Sequence, residues 1–79
     1  MKIKIIYCEI WNYLPQAASL AENLKNSFNN IQIELLSGNK GDFIVFLDDI
    51  KIYSRKELIG CSEKRLPNSD EIIKTILRK

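Results

Sequence analysis

From Lys2 to Cys8 the chain alternates charged and β-branched residues and then, from Ile5 onward, turns apolar on both faces. A strand in the middle of a sheet reads this way, because neighbours pair along both of its edges and other layers bear on its faces. The segment predicts a first strand with partners on either side. In a chain of 79 residues there is room for one domain, and a domain of this size buries only about 60% of the surface its unfolded form exposes. Below roughly 70–80 residues natural domains often lean on a metal, disulfides or oligomerisation. None of the three is signalled: there is no His, and the two cysteines, Cys8 and Cys61, stand far apart with no C-x-x-C pair. The usual zinc and iron–sulfur ligand sets are thereby excluded, and no metal or resident cofactor is expected.

The partners of the first strand follow in order. Residues 9–14 break the alternation, and Pro15 has its φ preset for the first turn of a helix. Ala17, Leu20, Ala21, Leu24 and Phe28 form one apolar stripe at helical spacing, ended by Asn29-Asn30. Ile31, Ile33 and Leu35 alternate with Gln32 and Glu34, which predicts a half-buried second strand stopping at Ser37-Gly38-Asn39-Lys40-Gly41. Strand, helix, strand implies a right-handed parallel crossover. Asp42–Leu47 and Ile50–Ser54 predict a hairpin turning through Asp48-Asp49, with Phe43 and Phe46 as core residues. Residues 55–67 are charged and irregular. Asn68 or Ser69 can cap a last helix, with Asp70 and Glu71 at its positive end, Lys74, Arg78 and Lys79 near its negative end, and Ile72, Ile73, Ile76 and Leu77 on its buried face. The order βαβ-ββα gives an α/β fold of four strands in a mixed sheet with two helices, compatible with a thioredoxin-like arrangement; a ferredoxin-like relative is the alternative.

Several functions are excluded or disfavoured on composition. A formal charge of +2 with scattered lysines does not suit nucleic-acid binding through phosphates. No apolar run approaches the roughly 20 residues of a membrane span. Met1 is followed by Lys2-Ile3-Lys4-Ile5-Ile6, not by a long apolar signal region, so free thiols in the cytoplasm are expected. There is no phosphate-binding Gly-rich loop, hydrolytic triad or paired-carboxylate site, and Asp48-Asp49 reads as a turn.

One stretch stands out, Tyr7-Cys8-Glu9-Ile10-Trp11-Asn12-Tyr13-Leu14-Pro15-Gln16-Ala17, because it places a thiol where a strand opens toward a helix. It resembles the corresponding segment of the selenoprotein W/T/H-like proteins, the thioredoxin-like Rdx group: Tyr-Cys, two residues, a selenocysteine or cysteine, an aromatic, then Pro leading into the helix. Gly41-Asp42-Phe43-Ile44-Val45, the run Asp48–Glu57 and Arg65-Leu66-Pro67 extend the resemblance over nearly the whole chain. It implies thiol redox activity, with Cys8 as the first sulfur of a Cys-x-x-Cys or Cys-x-x-selenocysteine pair. Trp11 stands at the second position. Two thiols at that spacing would exchange one disulfide within the loop, which Cys8 alone cannot do.

Three readings follow for this segment. Cys8 can act as a one-cysteine thiol, forming a mixed disulfide with glutathione or a partner-protein thiol, or Cys61 can serve as resolving thiol if the two Cα atoms come within about 7 Å. The bland counterpart is Cys8 as a small residue packed at a strand end. Alternatively Ile10, Trp11, Tyr13 and Leu14 form an apolar loop that holds a partner protein without electron transfer, as against simply closing the core. A third reading has Trp11 standing for a selenocysteine codon, which the codon in the gene would settle. Glu9, if close, would oppose a Cys8 thiolate. Arg55, Lys56, Lys64 and Arg65 offer cations for an anion such as a glutathione carboxylate, or simply a solvated loop of mixed charge.

Overall fold

Strand pairing places the first strand at the centre. The computed structural model describes residues 1–61 and 64–78; Ser62 and Glu63 beside Cys61, and Lys79 after the last helix, lie outside the described residues. The elements are β1 (Lys2–Cys8), α1 (Leu14–Ser27), β2 (Gln32–Gly38), β3 (Phe43–Leu47), β4 (Ile50–Ser54) and α2 (Ser69–Leu77). The sheet order is β2-β1-β3-β4, with β1 parallel to β2 and antiparallel to β3, and β3 and β4 joined as a hairpin. This is the four-stranded mixed sheet expected of the thioredoxin-like reading. The ferredoxin-like alternative orders its elements β-α-β-β-α-β, whereas here the third and fourth strands are consecutive and a helix comes last. Among the described residues no helix is long and apolar enough to cross a membrane.

Both helices pack on one face of the sheet. Ile3 and Ile5 of β1 and Phe43 and Val45 of β3 are fully enclosed with Leu24 of α1 and Ile72 of α2 in a single apolar cluster. The period of two along a strand sends Lys4, Ile6, Ile44 and Phe46 to the other face. Phe46 is accordingly not a core residue: three positions from Phe43, it must point the opposite way, and it is half-buried with the Lys51 ammonium 5.9 Å from its ring centre. The pairing of β3 with β4 shifts between Val45 and Phe46, a bulge that leaves Ile52 without an opposite number and buries both Ile52 and Tyr53. In α2 the buried positions are Ile72 and Ile76, one turn apart; Ile73 is only partly covered, and Leu77, expected on the same face, is 70% exposed.

The element ends follow local chemistry. Asn68 caps α2, its side chain accepting the Glu71 N–H at 2.9 Å. The Asp48-Asp49 turn needs positive φ at both residues, 48° and 72°, and Asp48 is held there by β1: the Lys2 N–H donates to its carboxylate and its own N–H donates to the Lys2 carbonyl, both at 2.9 Å.

Arg65 makes a two-pronged contact with Glu71, 2.6 Å at each oxygen, and its guanidinium holds the Glu71 carboxyl below the usual carboxylate range. A carboxylate whose folded pKa is depressed contributes stability above its unfolded pKa of about 4.3, and that contribution is lost as pH falls through the lower folded value. Because the Arg65 side chain is 38% exposed, solvent screening keeps the loss small. Urea midpoints measured from pH 7 down to pH 3 are expected to fall more steeply for the native chain than for Glu71→Gln; parallel curves would count against the pair.

Candidate functional site

Cys8 is the last residue of β1, and the loop after it folds back over its sulfur. The Asn12 N–H donates to the Glu9 carbonyl and the Tyr13 N–H to the Cys8 carbonyl, each at 3.0 Å. Asn12 takes the left-handed conformation, φ 56°, which Asn tolerates better than most residues. This turn brings the Trp11 N–H to 3.2 Å from Cys8 Sγ. The N–H groups of Gly41 and Ile10 also act on the sulfur. Cys8 is 0% exposed. Burial by itself pushes the thiol pKa up, but the hydrogen bonds from Gly41, Trp11 and Ile10 outweigh it, and the net effect holds the thiol below its ordinary value of 9.0. Helix α1 starts six residues after Cys8, so the donors that matter are those of the two loops, β1–α1 and β2–β3.

The opposing charge comes from a different carboxylate than the one next in sequence. Asp42 pushes the Cys8 pKa up while accepting the Asn39 N–H at 2.8 Å and pairing with Lys56 at 3.2 Å. Glu9, by contrast, is exposed and accepts the Ser37 hydroxyl at 3.2 Å.

Trp11 roofs the neighbourhood. A Cβ on Gly41 would come within 3.1 Å of the Trp11 ring, so the side chain of one loop lies against the backbone of the other. The Arg55 guanidinium sits 5.4 Å from the Trp11 ring and 5.9 Å from that of Tyr13, and reaches the Gly41 carbonyl at 3.3 Å. Trp11, Tyr13, Phe43 and Tyr53 then run edge to face from the loop into the core at 6.0, 6.3 and 6.4 Å. The loop aromatics thus divide: Tyr13 packs against the core cluster, while Trp11 at 44%, Ile10 at 76% and Leu14 at 42% remain open to solvent.

Cys61 is not brought to Cys8. The bridge between Ser54 and Ile59 runs along the outer edge of β4, and Cys61 Sγ donates to the Ser54 carbonyl at 3.8 Å, beside the Tyr53 hydroxyl. From β1 across β3 to β4 is two strand spacings, roughly 10 Å, more than the ~7 Å a disulfide tolerates between Cα atoms. Both thiols are free. Of the cations weighed for an anion, Lys56 is committed to Asp42 and Arg65 to Glu71, Lys64 is exposed, and Arg55 alone stands over the loop that covers Cys8.

Sequence reasoning missed Gly41 as a donor and Arg55 as the brace over Trp11, because both reach the site across the sheet. A signal for the first was present in Gly41-Asp42, a glycine opening a strand; its φ of 80° is one that residues with a Cβ rarely adopt.

A model of the Rdx family matches residues 2–78. No curated protein sequence matches the chain. Among solved structures, a selenoprotein W-related protein from Vibrio cholerae is 24% identical over 98% of this chain and 92% of its own, with a TM-score of 0.82. A protein from Bordetella parapertussis is 20% identical over 98% of this chain and 94% of its own, with a TM-score of 0.85. At these identities the likeness is one of fold.

Proposed function

The chain belongs to the Rdx family, and from that premise we propose that it is a thiol redox protein working through Cys8 alone. The observation that carries this reading is the set of N–H donors from Gly41, Trp11 and Ile10 around a sulfur whose pKa they lower against burial. A backbone N–H does not depend on the side chain, so Trp11 can help hold a Cys8 thiolate from the position where a second sulfur would otherwise stand. In the proposed cycle the thiolate attacks the disulfide of oxidised glutathione, forming a protein–glutathione disulfide and expelling one glutathione thiolate, which takes a proton. A second thiol, from glutathione or a partner protein, then attacks the glutathione sulfur and returns Cys8 to its reduced form. Because Cys8 is fully covered, attack requires the 9–13 loop to lift.

Mass spectrometry after incubation with oxidised glutathione tests this. The native chain and Cys61→Ser should each gain one glutathionyl group, and Cys8→Ser should gain none at that site. Should Cys8 stay unmodified in the folded protein while the denatured protein reacts, the thiol reading is lost. The exposed Ile10, Trp11 and Leu14 would then favour the other reading, a module that holds a partner protein through this loop without electron transfer.

A further inference from the structure

The feature that placed β1 in the middle of the sheet, its apolarity on both faces, is only half accounted for by the fold. Ile3 and Ile5 are fully enclosed on the helix face. Ile6 points to the other face, where register sets it between Leu36 of β2 and Ile44 of β3. The next row on that face reads, strand by strand, Glu34, Lys4, Phe46, Lys51. Leu36, Ile6, Ile44 and Phe46 are all outside the core cluster, and none is fully buried.

We infer that two copies of this chain associate through these open sheet faces, about a two-fold axis parallel to the strands and passing between β1 and β3. Such an axis reverses the strand order across the interface, so that β2 of one copy lies over β4 of the other and β1 over β3. Ile6 then meets Ile44, Glu34 meets Lys51, and Lys4 meets the ring of Phe46. Glu34 and Lys4 thereby face a cation and an aromatic ring, and Lys51, which pairs with Glu57 of its own chain at 2.9 Å, gains a second carboxylate. A two-fold axis perpendicular to the strands and passing through this row would instead set Glu34 against Glu34 and Lys4 against Lys4, so for this row the charge pattern favours the parallel axis. Four strands at about 4.8 Å and about five residues of each give a footprint of roughly 300 Å² per copy. That lies below the size of a standard stable interface, which sets the association in the weak, transient class.

Sedimentation equilibrium from micromolar concentrations to about 1 mM tests the inference independently of any thiol chemistry. The native chain should move toward the mass of two chains over this range, less readily at high salt. Glu34 is exposed, so Glu34→Lys leaves the fold intact, as circular dichroism would check. It turns both symmetry-related contacts into like-charge pairs and is expected to weaken association at least tenfold. Adding Lys51→Glu to that variant should bring the affinity back toward the native value, a recovery that a purely structural role for either residue does not produce. Ile44→Asp should abolish association. A chain that stays monomeric throughout, or a dimer that Glu34→Lys and Ile44→Asp leave unchanged, overturns the proposal, the second result moving the contact to another surface such as the free edge of β2.

Discussion

A Phe43→Ala chain is expected to lose about 3–5 kcal/mol of folding free energy, the range for removing a fully enclosed Phe ring. Phe43 is 1% exposed and touches both Tyr13 and Tyr53 edge to face. A domain of this length has only about 4–12 kcal/mol in total, so the urea midpoint, followed by the fluorescence of the single Trp, should fall by about a quarter or more. Phe43→Leu, which keeps most of the volume, should cost clearly less. Because Tyr13 rests on Phe43 and Trp11 on Tyr13, the loss propagates to the cover over Cys8, and alkylation of the thiol at neutral pH should quicken in Phe43→Ala well before global unfolding. An unchanged midpoint would mean that the aromatic chain does not carry the loop.

The second large effect is expected at Gly41→Ala. With φ at 80° and a Cβ that would stand 3.1 Å from the Trp11 ring and 3.3 Å from the Lys56 side chain, the loop must turn, taking its N–H away from Cys8. Removing one donor from a thiolate raises its pKa. In a Cys61→Ser background, the inflection in the rate of iodoacetamide alkylation against pH, below 9.0 in the native chain, should move upward. Displacing Trp11 also opens the sulfur, so the rate at high pH should rise even as the inflection shifts, and only the full profile separates the two. An inflection that stays in place would show that the Gly41 N–H does not hold the charge.

What the sequence made legible was what depends on near neighbours. The alternation in Lys2–Cys8 and Ile31–Leu35, the apolar stripe from Ala17 to Phe28 and the cap at Asn68 or Ser69 each report a local periodicity or a local hydrogen bond, and the elements stand where they were expected, with Asn68 the cap and Phe28 just past the end of α1. Phe46 and Leu77 were misjudged for a common reason: hydrophobicity alone does not say which side of an element a residue occupies, and the period of the element decides. At the site, Cys8 and the Trp11 substitution were legible because they lie in one segment. The donors were not, since Gly41 and Arg55 meet Cys8 and Trp11 only once β3 has paired with β1. Asp42, not the adjacent Glu9, opposes the thiolate for the same reason. Proximity in space is set here by the sheet.

The central place of β1 also fixes an order of events. It precedes β2, β3 and β4 along the chain, yet its antiparallel neighbour β3 comes only after α1 and β2, and Ile3 waits for Leu47. The β3–β4 hairpin can close on its own in about 1–10 μs, and helix α1 forms from contacts along its own length. Inserting β1 between β2 and β3 requires two distant segments to meet, which costs loop-closure entropy before any pairing offsets it. The folding rate should therefore follow substitutions at the β1–β3 register, such as Ile5 and Val45, more closely than substitutions in either helix.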